Sequence, residues 1–326
     1  MGRQLSLTVA LAAMIGVAAP ASLARPPHAS HVARNAYGQP DLEGLWANGS
    51  LTKLQRRAGA PLTFATRAEE DAYEAAAAKR WAAQGAEGVG QGASEWLPTY
   101  RMARIDGKLR TSFIVDPPDG RVPYRPEALK HYQQVDDGEN FDGPETRDPT
   151  ERCLTAGSGS AGPPILTSPA AGFKQIVQTR NEVAILSELN HDVRIVRLGS
   201  KHLPASVRPW MGDSIGWWDG ATLVVETTNF HPQEGYRLWF MMSPQARVTE
   251  RFTRVSKTEL RYSFEVDDPA SYTQAWRAEM PFLADKGPIY EYACHEGNYG
   301  LPNILAGARR EEEVARAKAQ AATAAR

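Results

Sequence analysis

From residue 173 onward the chain alternates apolar and polar positions with a period of two, in short runs broken by turn residues. The runs "FKQIVQT", "EVAILSE", "DVRIVRL", "ATLVVETTNF", "ARVTERFTRV", "ELRYSFEVD", "SYTQAWRAEMPF" and "PIYEYAC" read as strands. Alternation is cleanest at Leu260, Tyr262, Phe264 and Val266 against Arg261, Ser263, Glu265 and Asp267. Successive side chains on a strand point to opposite faces, so each run buries one face and solvates the other. With no helical pattern between them, these segments predict a mainly β fold, an antiparallel meander forming a lipocalin-like barrel or sandwich over residues 173–302.

The period is different before and after this stretch. "TRAEEDAYEAAAAKRWAAQG" is helical, with Thr66 as N-cap, Glu69 completing a capping box and Gly85 as the stop. "LEGLWANGSL" and "LRTSFIVD" read as strands, the second ending at a "PPDG" turn, and "RPEALKHYQQ" as a second helix. Residues 135–169 are turn-rich. Together 41–172 form an N-terminal helical and loop segment expected to pack on the barrel, and 303–326 a charged C-terminal helix.

The first residues change the picture of where the protein works. Arg3, an apolar run over 5–19 and the small residues "ASLA" at 21–24 make a signal peptide over 1–24, followed by a Pro- and His-rich linker over 25–40. The expected location is periplasmic or secreted, with no membrane insertion after cleavage. Lys and Arg number 37 against 38 Asp and Glu, interspersed, which leaves no basic footprint for nucleic acid.

Short motifs offer little. "GDSIG" at 212–216 matches a nucleophile elbow but lacks the strand-then-helix context, and "GSGSAG" at 157–162 lacks a βαβ unit. Asp219 and Gly220 mark a hairpin turn. No histidine pair has zinc spacing, so neither a metal nor another cofactor is expected, although His191, His295 and Glu291 remain open to convergence in space. Glu250 alternates with Val248 and Phe252, which puts a carboxylate on an apolar face; Arg194 shares a face with Val196 and Leu198. The two are either a buried pair with each other or ligand-facing groups. Trp217, Tyr272 and Trp276 belong to core or to the lining of a pocket for an apolar or aromatic molecule.

The densest polar stretch is "IYEYACHEGNYG" at 289–300. On a strand, Glu291 and His295 share one face and Cys294 the other, so Cys294 and His295 make a poor nucleophile–base pair. Cys153 and Cys294 are the only cysteines, and in an oxidising compartment they are expected to form a disulfide. Acid–base candidates are then His295 or His191 as base, with Glu291 or Asp213 orienting it and Arg194 and Glu250 on the substrate side.

"PDLEGLW", "DPPDGRVPY", "GDSIGWWDGATLVVETTNF", "DDPASYTQAW" and "YEYACHEGNYG" together resemble a widespread family of secreted and periplasmic bacterial proteins. The resemblance implies export and carries no residue roles. The likeness to lipocalins is one of architecture alone. These readings favour an exported, cofactor-independent lyase, isomerase or hydrolase acting on a small apolar or aromatic compound. A non-catalytic periplasmic carrier of such a ligand is the alternative.

Overall fold

A computed structural model describes residues 33–86, 101–136, 140–155, 161–167, 172–234, 236–237 and 240–324. The stretch expected to be a signal peptide, most of the expected linker with His28 and His31, and Gly157 to Ser160 of the glycine-rich stretch lie outside the described residues.

In chain order the elements are β1 (Gly44–Ala47), α1 (Arg67–Ala86), β2 (Arg104–Ile105), β3 (Lys108–Leu109), β4 (Ile114–Asp116), α2 (Pro126–Asp136), β5 (Phe173–Gln178), β6 (Glu182–Ser187), β7 (Val193–Leu198), β8 (Asp213–Asp219), β9 (Thr222–Thr228), β10 (Tyr236–Arg237), β11 (Phe240–Met241), β12 (Arg247–Arg254), β13 (Glu259–Asp267), β14 (Trp276–Ala284) and α3 (Gly300–Ala324). The capping box forms as expected, with Thr66 N–H donating to Glu69 at 2.9 Å and Glu69 N–H to Thr66 Oγ1 at 3.3 Å.

The main sheet runs β1-β5-β6-β7-β8-β9-β12-β13-β14, and β1 also pairs with β14, which closes a nine-strand barrel; β4 branches from β14. Closure removes the free edges a sandwich would leave. The barrel therefore borrows β1 from the N-terminal segment and is not confined to 173–302, and α3 begins at Gly300 rather than at 303. Nor is the sheet a pure antiparallel meander. β7 and β8 are parallel, Arg197 opposite Ile215 and Leu198 opposite Gly216, joined by the long crossover at 199–212. Gly216 makes room at this contact, since a Cβ there would lie 2.7 Å from Val196 Cγ1. β8 and β9 form the expected hairpin, with Asp219 opposite Thr222 and Gly220 at φ +63°.

"PIYEYAC" is not a strand. Residues 285–299 form a strap without regular structure, Asp285 accepting the N–H groups of Lys286 and Gly287 to turn the chain out of β14. The physical reason is closure: β1 already bonds β14 on one side and β5 on the other, so no edge remains for another strand.

The barrel is filled with side chains. Trp276 packs edge-on against Phe240, Phe264 and Tyr272, and Tyr262 lies against Phe252, Phe264 and Phe282. Residues 161–166 are all buried and plug one end. There Ile165 N–H donates to Tyr262 Oη at 2.8 Å, and Asn48, just past β1, donates to Leu166 O at 3.0 Å.

Candidate functional site

Arg194 and Glu250 meet each other inside the barrel. Arg194 Nη2 donates to Glu250 Oε1 at 2.9 Å, Arg194 Nη1 bonds Glu250 Oε2, and Tyr262 Oη donates to Glu250 Oε1 at 2.7 Å. Both charged side chains are essentially out of water. Burial pushes the Tyr262 hydroxyl well above its ordinary range, and the Glu250 charge adds to this, so Tyr262 stays a donor. These groups bond one another rather than a ligand. Tyr272 and Trp276 are core, and Trp217 lies outside the barrel, 44 % exposed, because inward positions on β8 fall to Ser214 and Gly216. Ser214 is no elbow nucleophile: it sits on a strand with its Oγ 2.8 Å from Thr227 Oγ1.

Asp213 orients a histidine, but a different one. His202 stands between two carboxylates, Nδ1 2.8 Å from Asp213 and Nε2 3.1 Å from Glu226, and Arg197 and Arg247 flank the row. Both ring nitrogens face carboxylates, which leaves neither open to a substrate. The row anchors the crossover, since Leu203 N–H also donates to Asp213 at 2.8 Å. Burial raises the Asp213 carboxyl, but the Leu203, His202 and Arg197 contacts more than offset it and hold it below its ordinary value; Glu226 is held low in the same way, burial being opposed by Arg247 and His202. Folded values below the unfolded ones mean that these carboxylates contribute stability above about pH 4, lost as pH falls through the folded values. Asp213→Asn is expected to flatten the acid limb of a melting-temperature profile below about pH 4; an unchanged limb would place the acid transition elsewhere.

The polar stretch at 289–300 does not bring its acid–base candidates together. Glu291 and His295 are both exposed on the strap, so the face-sharing expected of a strand has no basis. Their neighbour Cys294 is bonded to Cys153, as expected, across 141 residues of sequence. The denatured, non-reduced protein is expected to show no titratable thiol; two thiols would refute the bond.

A polar cluster lies instead at the plugged end. β5 turns Lys174, Ile176 and Gln178 inward. Lys174 is opposite Ser187 on β6 and opposite Trp46 on β1. Glu188 N–H donates to Phe173 O, so the Lys174–Ser187 pair is of the non-hydrogen-bonded kind, whose side chains approach most closely. The β6–β7 connection then places Glu188 and Asp192 beside the amine. Asn190 and His191 adopt positive φ there, which asparagine tolerates better than a β-branched residue.

Lys174 is fully buried, and its Nζ donates to Gly172 O at 3.4 Å. Burial lowers its ammonium from 10.5 to about 7, against the opposing pull of Glu188 and Asp192. Among the described residues, Ser187 Oγ and Glu188 Oε2 are buried without a hydrogen-bond partner. The strap crosses this end: Tyr290 N–H donates to Glu188 Oε1 at 3.0 Å, and His191 Nδ1 lies 3.1 Å from Tyr292 O. A carbonyl only accepts, so neutral His191 carries its proton on Nδ1 and exposes Nε2 as a lone pair. Thus the strap ties exposed His191 to this end, Glu291 and His295 on the strap are exposed, Asp213 bonds His202 instead, and Lys174, Ser187, Glu188 and Asp192 form the cluster.

No group of three or more His, Cys, Asp or Glu among the described residues is arranged to hold a metal ion, and no helix among them is long and apolar enough to cross a membrane. No family model matches the chain, and no curated protein matches it.

Proposed function

We propose that this protein is an exported small-molecule enzyme whose acid–base chemistry is carried out at the plugged end of the barrel. Lys174 is the base, neutral in part near pH 7 and therefore able to take a proton. The Glu188 carboxylate passes protons to and from the substrate, and Ser187 offers a hydroxyl to a polar substrate atom. His191, with Nε2 free on the solvent side, relays protons outward. The buried apolar residues of the plug favour an apolar or aromatic compound. The single observation that carries this reading is a fully buried lysine set opposite a buried serine whose hydroxyl has no partner among the described residues. The filled interior argues against a carrier holding its ligand deep in the barrel. Export rests on the charged and apolar leader, on the resemblance to secreted bacterial proteins, and on the disulfide.

The test is a thermal-shift screen of small apolar and aromatic compounds on the wild type and on Lys174→Met, followed by product analysis of each hit. Ligands that stabilise the wild type alone, and emerge chemically changed, are the expected result. An unchanged ligand response in folded Lys174→Met would overturn the assignment.

A further inference from the structure

Three kinds of group that carbonyl chemistry needs stand together at this end of the barrel: an amine, a hydroxyl and a carboxyl. We propose that Lys174 forms an imine with a small apolar aldehyde or ketone, a proposal that rests on the site assigned above and names its substrate class.

The geometry supplies each part. The amine sits on the inward face of β5 and reaches no ion-pair partner among the described residues, its hydrogen bond going to the Gly172 carbonyl. Ser187, directly across the strand pair, has a hydroxyl free to bond a carbonyl oxygen. Glu188 follows it, with one oxygen held by Tyr290 N–H and the other unpartnered. The buried plug residues Ile165 and Leu166, whose backbone bonds Tyr262 and Asn48 at this end of the barrel, give apolar surroundings suited to a hydrocarbon substituent and poorly suited to a polar one.

The chemistry closes without another reactant. The uncharged amine adds its electron pair to the carbonyl carbon, and the carbonyl π pair moves to oxygen, where Ser187 donates a hydrogen bond. Transfer of a proton from nitrogen to oxygen gives the carbinolamine. The Glu188 carboxylate takes the remaining nitrogen proton and passes it to that hydroxyl, so that the C–O bond breaks and water leaves while nitrogen forms the C=N bond and Glu188 ends as it began. One amine and one carbonyl compound yield one imine and one water, with no oxidant or reductant. A protein that covers the amine with a plug and a strap also keeps water from hydrolysing the imine.

The experiment uses the full-length mature protein with its disulfide intact, benzaldehyde as the probe and cyanoborohydride at pH 7 to trap the imine, with the modified lysine located by peptide mass. The expected result is one benzyl group per chain on Lys174, formed at least tenfold faster than on the exposed Lys201 and Lys257, and absent in Lys174→Met. In parallel, competitive acetylation across pH 5–11 measures where Lys174 titrates. A Lys174 that titrates near neutrality but gains no benzyl group overturns the imine and leaves the general-base reading standing. A Lys174 that titrates like an exposed lysine overturns both.

Discussion

Lys174→Met is expected to be more stable than the wild type at neutral pH. An amine whose folded value is about 7 and whose ordinary value is 10.5 is disfavoured by burial by roughly 5 kcal/mol. Methionine fills similar space without a charge. Glu188 and Asp192 lose a favourable neighbour in the exchange, so the net gain expected is about 2–4 kcal/mol, several degrees in Tm. The pH dependence is specific. The folded value lies below the unfolded one, so the unfolded chain binds more protons between about pH 7 and 10.5, and wild-type stability rises with pH over that window. Below pH 7 the penalty is complete. The advantage of the variant should therefore be largest at about pH 6 and fade toward pH 10.5. Urea midpoints of both proteins at pH 6 and pH 9.5 test this; a variant no more stable than wild type, or a difference independent of pH, would show that the amine is solvated. A residue that lowers stability and whose removal abolishes ligand response is what a stability–activity trade-off looks like.

Breaking the Arg194–Glu250 pair should have the opposite sign. Arg194→Met or Glu250→Gln alone leaves a buried group uncompensated, for an expected loss of about 3–5 kcal/mol in each case. Glu250→Gln also weakens the acceptor of the Tyr262 hydroxyl, which holds Ile165 in the plug. Replacing both charges, Arg194→Met with Glu250→Gln, removes the two desolvation costs together, keeps an acceptor for Tyr262, and should return stability to within about 1.5 kcal/mol of wild type. Urea unfolding of the two single variants and the double gives the coupling directly. Single variants that lose less than about 1 kcal/mol would mean that water reaches the pair.

The candidate site was only partly legible in the sequence. His191 and the cysteine pair were visible because a histidine invites acid–base roles and two cysteines in a chain read as exported have one partner each. Glu250 and Arg194 stood out as charges on apolar faces, and the barrel supplied the bond between them. Lys174 gave no such signal. In "FKQIVQ" the set Phe173, Gln175, Val177 is more apolar than Lys174, Ile176, Gln178, yet the second set faces inward and Val177 is 45 % exposed. Glu291 and His295 misled for the converse reason: alternation was assumed along a segment that the closed barrel could not pair.

What the sequence determined by itself is local. Period-two runs specified most of the strands, the Thr66 and Glu69 spacing specified the first helix start, and Gly220 specified the β8–β9 turn, because each depends on side-chain alternation or backbone freedom within a few residues. The facing of β5 and β7 was decided by tertiary structure. On β7, Val193 and Ile195 are 48 % and 44 % exposed while Arg194 points in, since the barrel brings Glu250 within reach of Arg194, and a buried carboxylate must be paired. On β5, Gln178 turns inward to accept Leu42 N–H and donate to Pro40 O, which closes the opposite end of the barrel and carries Lys174, four residues earlier on the same face, into the interior. Those bonds join residues more than 130 positions apart, so no window of sequence contains them.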